Sequence, residues 1–216
     1  MREIDTTLYF ITDSTGFSEE EFLRRTEEAL KGGVTLLQLR EKDKTTREYV
    51  DIAKKVHKLT LKYNVPLIID DRVDVALAIY AEGVHVGQSD MPVSIARKLM
   101  GIDKIVGATT KTVPQALEAY EQGADYLGVG AIYPTTTKVK TIITSTETLS
   151  DICSAVPIPV NAIGGLNKNN VNILEGITIS GICVVSAIMK ADNPKAEAEI
   201  LHHLARNLSL QEKRSR

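Results

Sequence analysis

Eight short, almost uninterrupted apolar runs punctuate the chain: TLYFIT (7–12), VTLLQL (34–39), PLIID (66–70), GVHVG (83–87), KIVGAT (104–109), ADYLGVG (124–130), IPVNAIGG (158–165) and GICVVSA (181–187). None alternates cleanly between apolar and polar. That predicts strands covered on both faces, as in a parallel sheet. The segments between them change to a helical period. Phe22, Leu23, Thr26 and Leu30 form an apolar stripe behind Ser18, a predicted N-cap with Glu21 three residues on, and Gly32-Gly33 ends the helix. Tyr49, Ile52, Ala53, Val56 and Leu59 repeat the spacing, with Pro66 beyond the end. Further helices are predicted in 71–83, 91–101, 112–123, 145–156 and 167–176, and a last one from about Pro194 to Leu208. Pro92 and Pro114 stand near helix starts, where a missing N–H costs nothing.

Eight strands alternating with helices have two main solutions, an open doubly wound sheet or a closed (β/α)8 barrel. The glycine fingerprint of dinucleotide binding is missing after the first strand. The count fits a compact barrel. No linker or composition break divides the 216 residues. We therefore expect a single (β/α)8 (TIM) barrel domain over 1–216, with a short frayed tail from about 209.

Composition adds exclusions. A formal charge of −2 leaves no general basic surface for nucleic acid, and no apolar run is long enough for a membrane span. The N-terminus lacks the apolar core of a signal peptide, so a cytoplasmic location is expected. Cys153 and Cys183 lack disulfide or zinc spacing and read as buried, reduced thiols. The sequence permits a homo-oligomer without specifying one.

In such barrels the active residues lie where strands end. The second run passes abruptly from apolar to charged residues, delivering Gln38, Arg40 and Lys42. The third delivers Asp70 and Asp71, the fourth Gln88 and Asp90, the fifth Thr109. After the sixth comes YPTTTK, with Thr135, Thr136, Thr137 and Lys138. Gly164-Gly165 follows the seventh and Val185-Ser186 the eighth. Each charge alone has a plain reading as a solvated loop end. Converging on one rim, they suit an anionic ligand. Asp71 and Asp90 would share a hard cation such as Mg²⁺, while Arg40, Lys42 and Lys138 meet phosphate oxygens. Loops seven and eight suit a second phosphate, cupped by Gly165 and Ser186. Two phosphorylated small molecules are thus the expected partners. The loop containing YPTTTKVKT is read as a lid over them. His85, inside the fourth strand, reads as a filler of the barrel.

In combination and in order, LYFITD, LLQLREKD, LIIDDRVDVALA, GVHVGQSDMP, VGATTKT, GADYLGVGAIYPTTTK, PVNAIGG and VVSAI resemble the thiamine phosphate synthase family over nearly the whole chain. The resemblance implies a (β/α)8 barrel. It implies a transferase that joins 4-amino-2-methyl-5-(diphosphooxymethyl)pyrimidine to a thiazole monophosphate, with Mg²⁺ required. Gln38, Arg40, Lys42, Asp70, Thr109 and Lys138 would meet the pyrimidine diphosphate. Arg40, Lys42 and Lys138 among them would act in catalysis. Asp71 and Asp90 would bind Mg²⁺. Thr135, Thr136, Thr137, Gly165, Val185 and Ser186 would line the thiazole phosphate site. The chain departs from the family's pattern at Asp70, where Asn is usual, at Thr109, often Ser, at Lys111, often His, and at 178–182, usually GADGV. Two rival readings stand beside this one. A thiazole tautomerase would need a proton-transferring residue, typically His, in the loop after strand five, where Lys111 stands. A non-catalytic phosphate-sensing barrel would bind without turnover.

Overall fold

The structure, a computed structural model, describes residues 4–134 and 143–213, with side chains to 208. Eight strands form it: β1 Leu8–Ile11, β2 Leu36–Leu39, β3 Leu67–Asp70, β4 Gly83–Val86, β5 Ile105–Thr110, β6 Tyr126–Gly130, β7 Val160–Ile163 and β8 Gly181–Val184. Each pairs in parallel with its sequence neighbour. β8 returns to β1, with Tyr9 opposite Cys183, and closes the barrel. The (β/α)8 expectation holds. Most strands are shorter than the apolar runs that announced them, because the flanking residues turn into loops.

Alternation along the strands sorts the core into two parts. Leu8, Phe10, Leu37, Leu39, Leu67, Ile69, Leu127 and Val129 point out of the barrel and pack beneath the helices. Tyr9, Ile11, Leu36, Ile68, Ile105, Tyr126 and Cys183 fill its interior. Both faces are covered, so both sets are apolar, and the runs look continuous in sequence. Gly107 makes room inside: a Cβ there would collide with the Tyr126 ring.

The helices are α1 Glu19–Lys31, α2 Thr46–Tyr63, α3 Val73–Ile79, α4 Val93–Met100, α5 Val113–Glu121, α6 Thr146–Ala155, α7 Ser186–Met189 and α8 Pro194–Lys213. Two differ from expectation. The helix expected over 167–176 is only a 3₁₀ turn, Val171–Leu174. Its asparagines bond the local backbone instead of continuing a helix: Asn170 Oδ1 accepts from Asn167 N, and Asn167 Oδ1 from Asn169 N. Helix α8 runs beyond the expected end at Leu208, since no Gly or Pro intervenes before Lys213. Cys183 is buried but Cys153 only half-buried, and neither forms a disulfide.

Candidate active site

A cavity of about 220 Å³ opens at the C-terminal ends of the strands. Its first wall comes from β2 to β5. Gln38, Arg40 and Lys42 leave the end of β2, Asp70 and Asp71 the end of β3, Asp90 the loop after β4, and Thr109 the end of β5; all line the cavity. Its second wall is formed by Gly164 and Gly165 after β7 and by Val185 and Ser186 where α7 begins. Of the described strand-end candidates all but Gln88, whose Nε2 donates to the Thr109 carbonyl at 2.7 Å, therefore reach one space. Thr135, Thr136, Thr137 and Lys138 lie outside the described residues, as does most of the loop read as a lid.

The charged wall is tightly coupled. Lys42 Nζ stands 2.8 Å from Asp70 Oδ2 and also bonds Asp71. Arg40 Nε is 3.9 Å from the same Asp70 oxygen. Lys42 is thus not the unpaired cation that a strand-end lysine suggests. Burial alone would lower its pKa, but the Asp70 and Asp71 carboxylates outweigh that and hold it above the ordinary range. Asp70 is only 8% exposed. Burial raises its pKa, and Lys42 and Arg40 pull against that rise.

Asp71 adopts a left-handed backbone, φ 59°, and its N–H bonds the His85 carbonyl at 2.8 Å. Its carboxyl reaches that of Asp90, which is raised by burial and then by this contact with Asp71. Asp90 Oδ2 accepts the Gly87 N–H at 2.9 Å, and a Cβ on Gly87 would crowd that same oxygen. Two carboxyls held face to face form an all-oxygen donor pair suited to a hard divalent cation. Among the described residues no cluster of three or more His, Cys, Asp or Glu side chains could form a complete metal cage. A cation here would draw its remaining ligands from water and substrate.

Below the charges runs a string of side chains that sequence reasoning missed. Gln38 Nε2 donates to Tyr9 Oη at 2.6 Å, and Tyr9 Oη lies 2.6 Å from Tyr126 Oη. His85 Nδ1 is 3.1 Å from Tyr126 Oη, and its Nε2 is 2.8 Å from Thr109 Oγ1. Burial pushes both tyrosine hydroxyls well above their ordinary pKa. The string thus ties Gln38 to Thr109 across the barrel. His85 fills the interior as expected, yet it also lines the cavity.

The opposite wall is built from backbone. Gly164 and Gly165 have φ of +104° and +67°. A Cβ on Gly165 would sit 2.7 Å from that of Tyr133, so only glycine fits this turn without strain. Asn170 Nδ2 bonds the Gly165 carbonyl at 2.9 Å and holds the turn. Arg25 Nη1 bonds the carbonyls of Met189 at 3.1 Å and Ala191 at 2.7 Å, pinning the end of α7 whose start carries Ser186.

A family profile described as thiamine monophosphate synthase matches residues 8–188. The chain belongs to the thiamine monophosphate synthase family. Relatives in this family include a thiamine-phosphate synthase of Clostridium tetani, 49% identical over 93% of this chain and 96% of its own. Another, from Methanobrevibacter smithii, is 49% identical over the same shares. A solved thiamine phosphate pyrophosphorylase from Pyrococcus furiosus superposes with a TM-score of 0.86 at 38% identity, over 95% of this chain and 98% of that one. A 3-hexulose-6-phosphate synthase, 16% identical with a TM-score of 0.71, shares the fold. Within the family profile's span lie both walls of the cavity, with Gln38, Arg40 and Lys42 of Q-x-R-x-K and the pair Asp71 and Asp90.

Proposed function

We propose that this chain is a thiamine phosphate synthase. It transfers the 4-amino-2-methylpyrimidin-5-ylmethyl group from its diphosphate to the ring nitrogen of 4-methyl-5-(2-phosphooxyethyl)thiazole, releasing diphosphate. The observation that carries the reading is one cavity with two unlike anion-handling walls, one of cations and carboxylates and one of glycine backbone and a helix start. A single (β/α)8 domain carries the whole of this chemistry. Phosphorylated substrates do not cross membranes unaided, which puts the enzyme in the cytoplasm.

Gln38, Arg40, Lys42, Asp70, Thr109 and Lys138 hold the pyrimidine diphosphate. Gly165, Val185 and Ser186, with Thr135, Thr136 and Thr137, hold the thiazole phosphate. Asp71 and Asp90 hold Mg²⁺, which when bound offsets charge on the diphosphate oxygens. As the carbon–oxygen bond to diphosphate breaks, Arg40 and Lys42 stabilise the growing negative charge, with Lys138 beside them. The exocyclic amino group of the pyrimidine delocalises the positive charge left on its CH₂ carbon. The thiazole nitrogen then attacks with its own lone pair, so no residue removes a proton from the nucleophile. That agrees with a cavity in which the one histidine, His85, is engaged with Tyr126 and Thr109. Lys111, not a histidine, lines the wall after β5, which disfavours the tautomerase reading.

The test mixes protein, Mg²⁺ and both substrates and looks for thiamine phosphate and diphosphate by mass spectrometry. Product that disappears with chelator and returns with Mg²⁺ is expected. Binding of both substrates without any product would leave a phosphate-sensing barrel in its place.

A further inference from the structure

Between the two cations of the β2 end stands a carboxylate that the reaction does not use. Arg40 and Lys42 line the cavity, whereas Glu41 between them turns away from it. Its side chain is only 4% exposed. Glu41 Oε2 accepts the Ser14 hydroxyl at 2.7 Å, and Lys44 Nζ approaches that oxygen at 3.6 Å. Glu41 Oε1 is buried without a hydrogen-bond partner. Burial raises its pKa, the Ser14 bond and Lys44 oppose the rise, and Asp13 adds to it. A carboxylate at a loop start has water within easy reach, and burying one is costly. Its inward turn must therefore fix something.

What it fixes is the junction of two loops. Thr12 N donates to Gln38 O at 2.9 Å, and Arg40 N donates to Thr12 Oγ1 at 3.2 Å. The Ser14–Glu41 bond is the next rung of the same ladder, and it reaches past the end of both strands. Beyond it, Thr45 caps α2. Lys42 therefore leaves a short stretch of backbone fixed on both sides. A lysine stem is flexible, so the place where it starts decides where its ammonium can act.

We propose that Glu41 is a positioning residue: through Ser14 it anchors the backbone from which Arg40 and Lys42 diverge, and so holds both cations on the diphosphate. This rests on the reading of Arg40 and Lys42 as the diphosphate-binding cations. The test compares Glu41→Ala, Glu41→Gln, Ser14→Ala and Lys42→Ala for kcat, for KM toward each substrate separately, and for thermal unfolding. Glu41→Ala is expected to lower kcat/KM for the pyrimidine diphosphate about ten- to a hundredfold, as small misplacements of reacting groups do. The KM for thiazole phosphate stays within about twofold, because uniform binding on the other wall is untouched. Glu41→Gln, whose side-chain carbonyl still accepts the Ser14 hydroxyl, is expected to recover most of the loss. Ser14→Ala shows the same selectivity more weakly, and it carries the test if Glu41→Ala does not fold. A folded Glu41→Ala or Ser14→Ala enzyme with unchanged pyrimidine kinetics overturns the proposal, as does an equal rise in both KM values. If Lys42→Ala also leaves pyrimidine kinetics unchanged, the reading of the site falls with it; if Lys42→Ala alone is impaired, only the role of Glu41 falls.

Discussion

Lys42 meets two carboxylates, Asp70 and Asp71, at the point where the proposed diphosphate must sit. The pair keeps the ammonium charged and aimed at the cavity, and the incoming anion then competes with Asp70 and Asp71 for it. Removing a preorganised donor of this kind typically costs about 2.7–4 kcal/mol of barrier. Steady-state kinetics on Lys42→Ala should therefore show kcat falling by about two to three orders of magnitude. The KM for thiazole phosphate should hold. An unchanged kcat removes Lys42 from the reaction.

Asp90 argues the other way at the same scale. Its pKa is raised by burial and by Asp71, so the fold favours its neutral form. A carboxyl raised in the fold costs nothing below the unfolded Asp value and costs most above the folded one, so stability falls as pH rises between them. Asp90→Asn stays neutral throughout and keeps an oxygen for the Gly87 N–H. With chelator present, its melting temperature should exceed that of the parent at neutral pH, and the gain should vanish as pH falls through the carboxylate range. Activity with Mg²⁺ should be lost, as a residue kept for function at the expense of stability predicts. A lower melting temperature at neutral pH would contradict this. The candidates after β2 to β5 were legible because apolar runs switch to charge within a residue or two. The ion pairs among them were not, since Lys42 and Asp71 stand 29 positions apart.

At the scale of elements, local signals worked best where nothing competed with them. Ser18 accepts the Glu21 N–H at the start of α1, as expected. The reciprocal bond from Glu21 is missing because Arg24 and Arg25, one turn on, take its carboxylate. The complete reciprocal cap is on α2, where Thr45 and Glu48 bond each other's backbone. Thr45→Ala should cost about 1 kcal/mol, typical of a lost N-cap. In a chain of this size that lowers the melting temperature by roughly 2–4 °C. The 3₁₀ turn at Val171–Leu174 shows the limit of such reading. Its apolar spacing is helical, but Asn170 is committed to the Gly165 carbonyl five residues back and to the Asn167 N–H, and these side-chain bonds compete with a continued helix.

The whole molecule makes its site by closing. Tyr9 and Tyr126 sit in runs that read as apolar, and 117 residues separate them. Only a closed barrel brings their hydroxyls together beneath the cavity. That is why the string from Gln38 to Thr109 was not legible along the chain. Buried polar groups of this kind are stabilising only when each finds its partner. Tyr126→Phe keeps the ring in the space that Gly107 leaves but removes the hydroxyl that joins Tyr9 to His85. Loss of a buried partner costs about 1–3 kcal/mol, and thermal unfolding should show it. Because Gln38 and Thr109 hang from the two ends of the string, the variant should also raise the KM for the pyrimidine diphosphate more than that for the thiazole phosphate. Equal changes in the two constants would mean that the tyrosines serve the core alone.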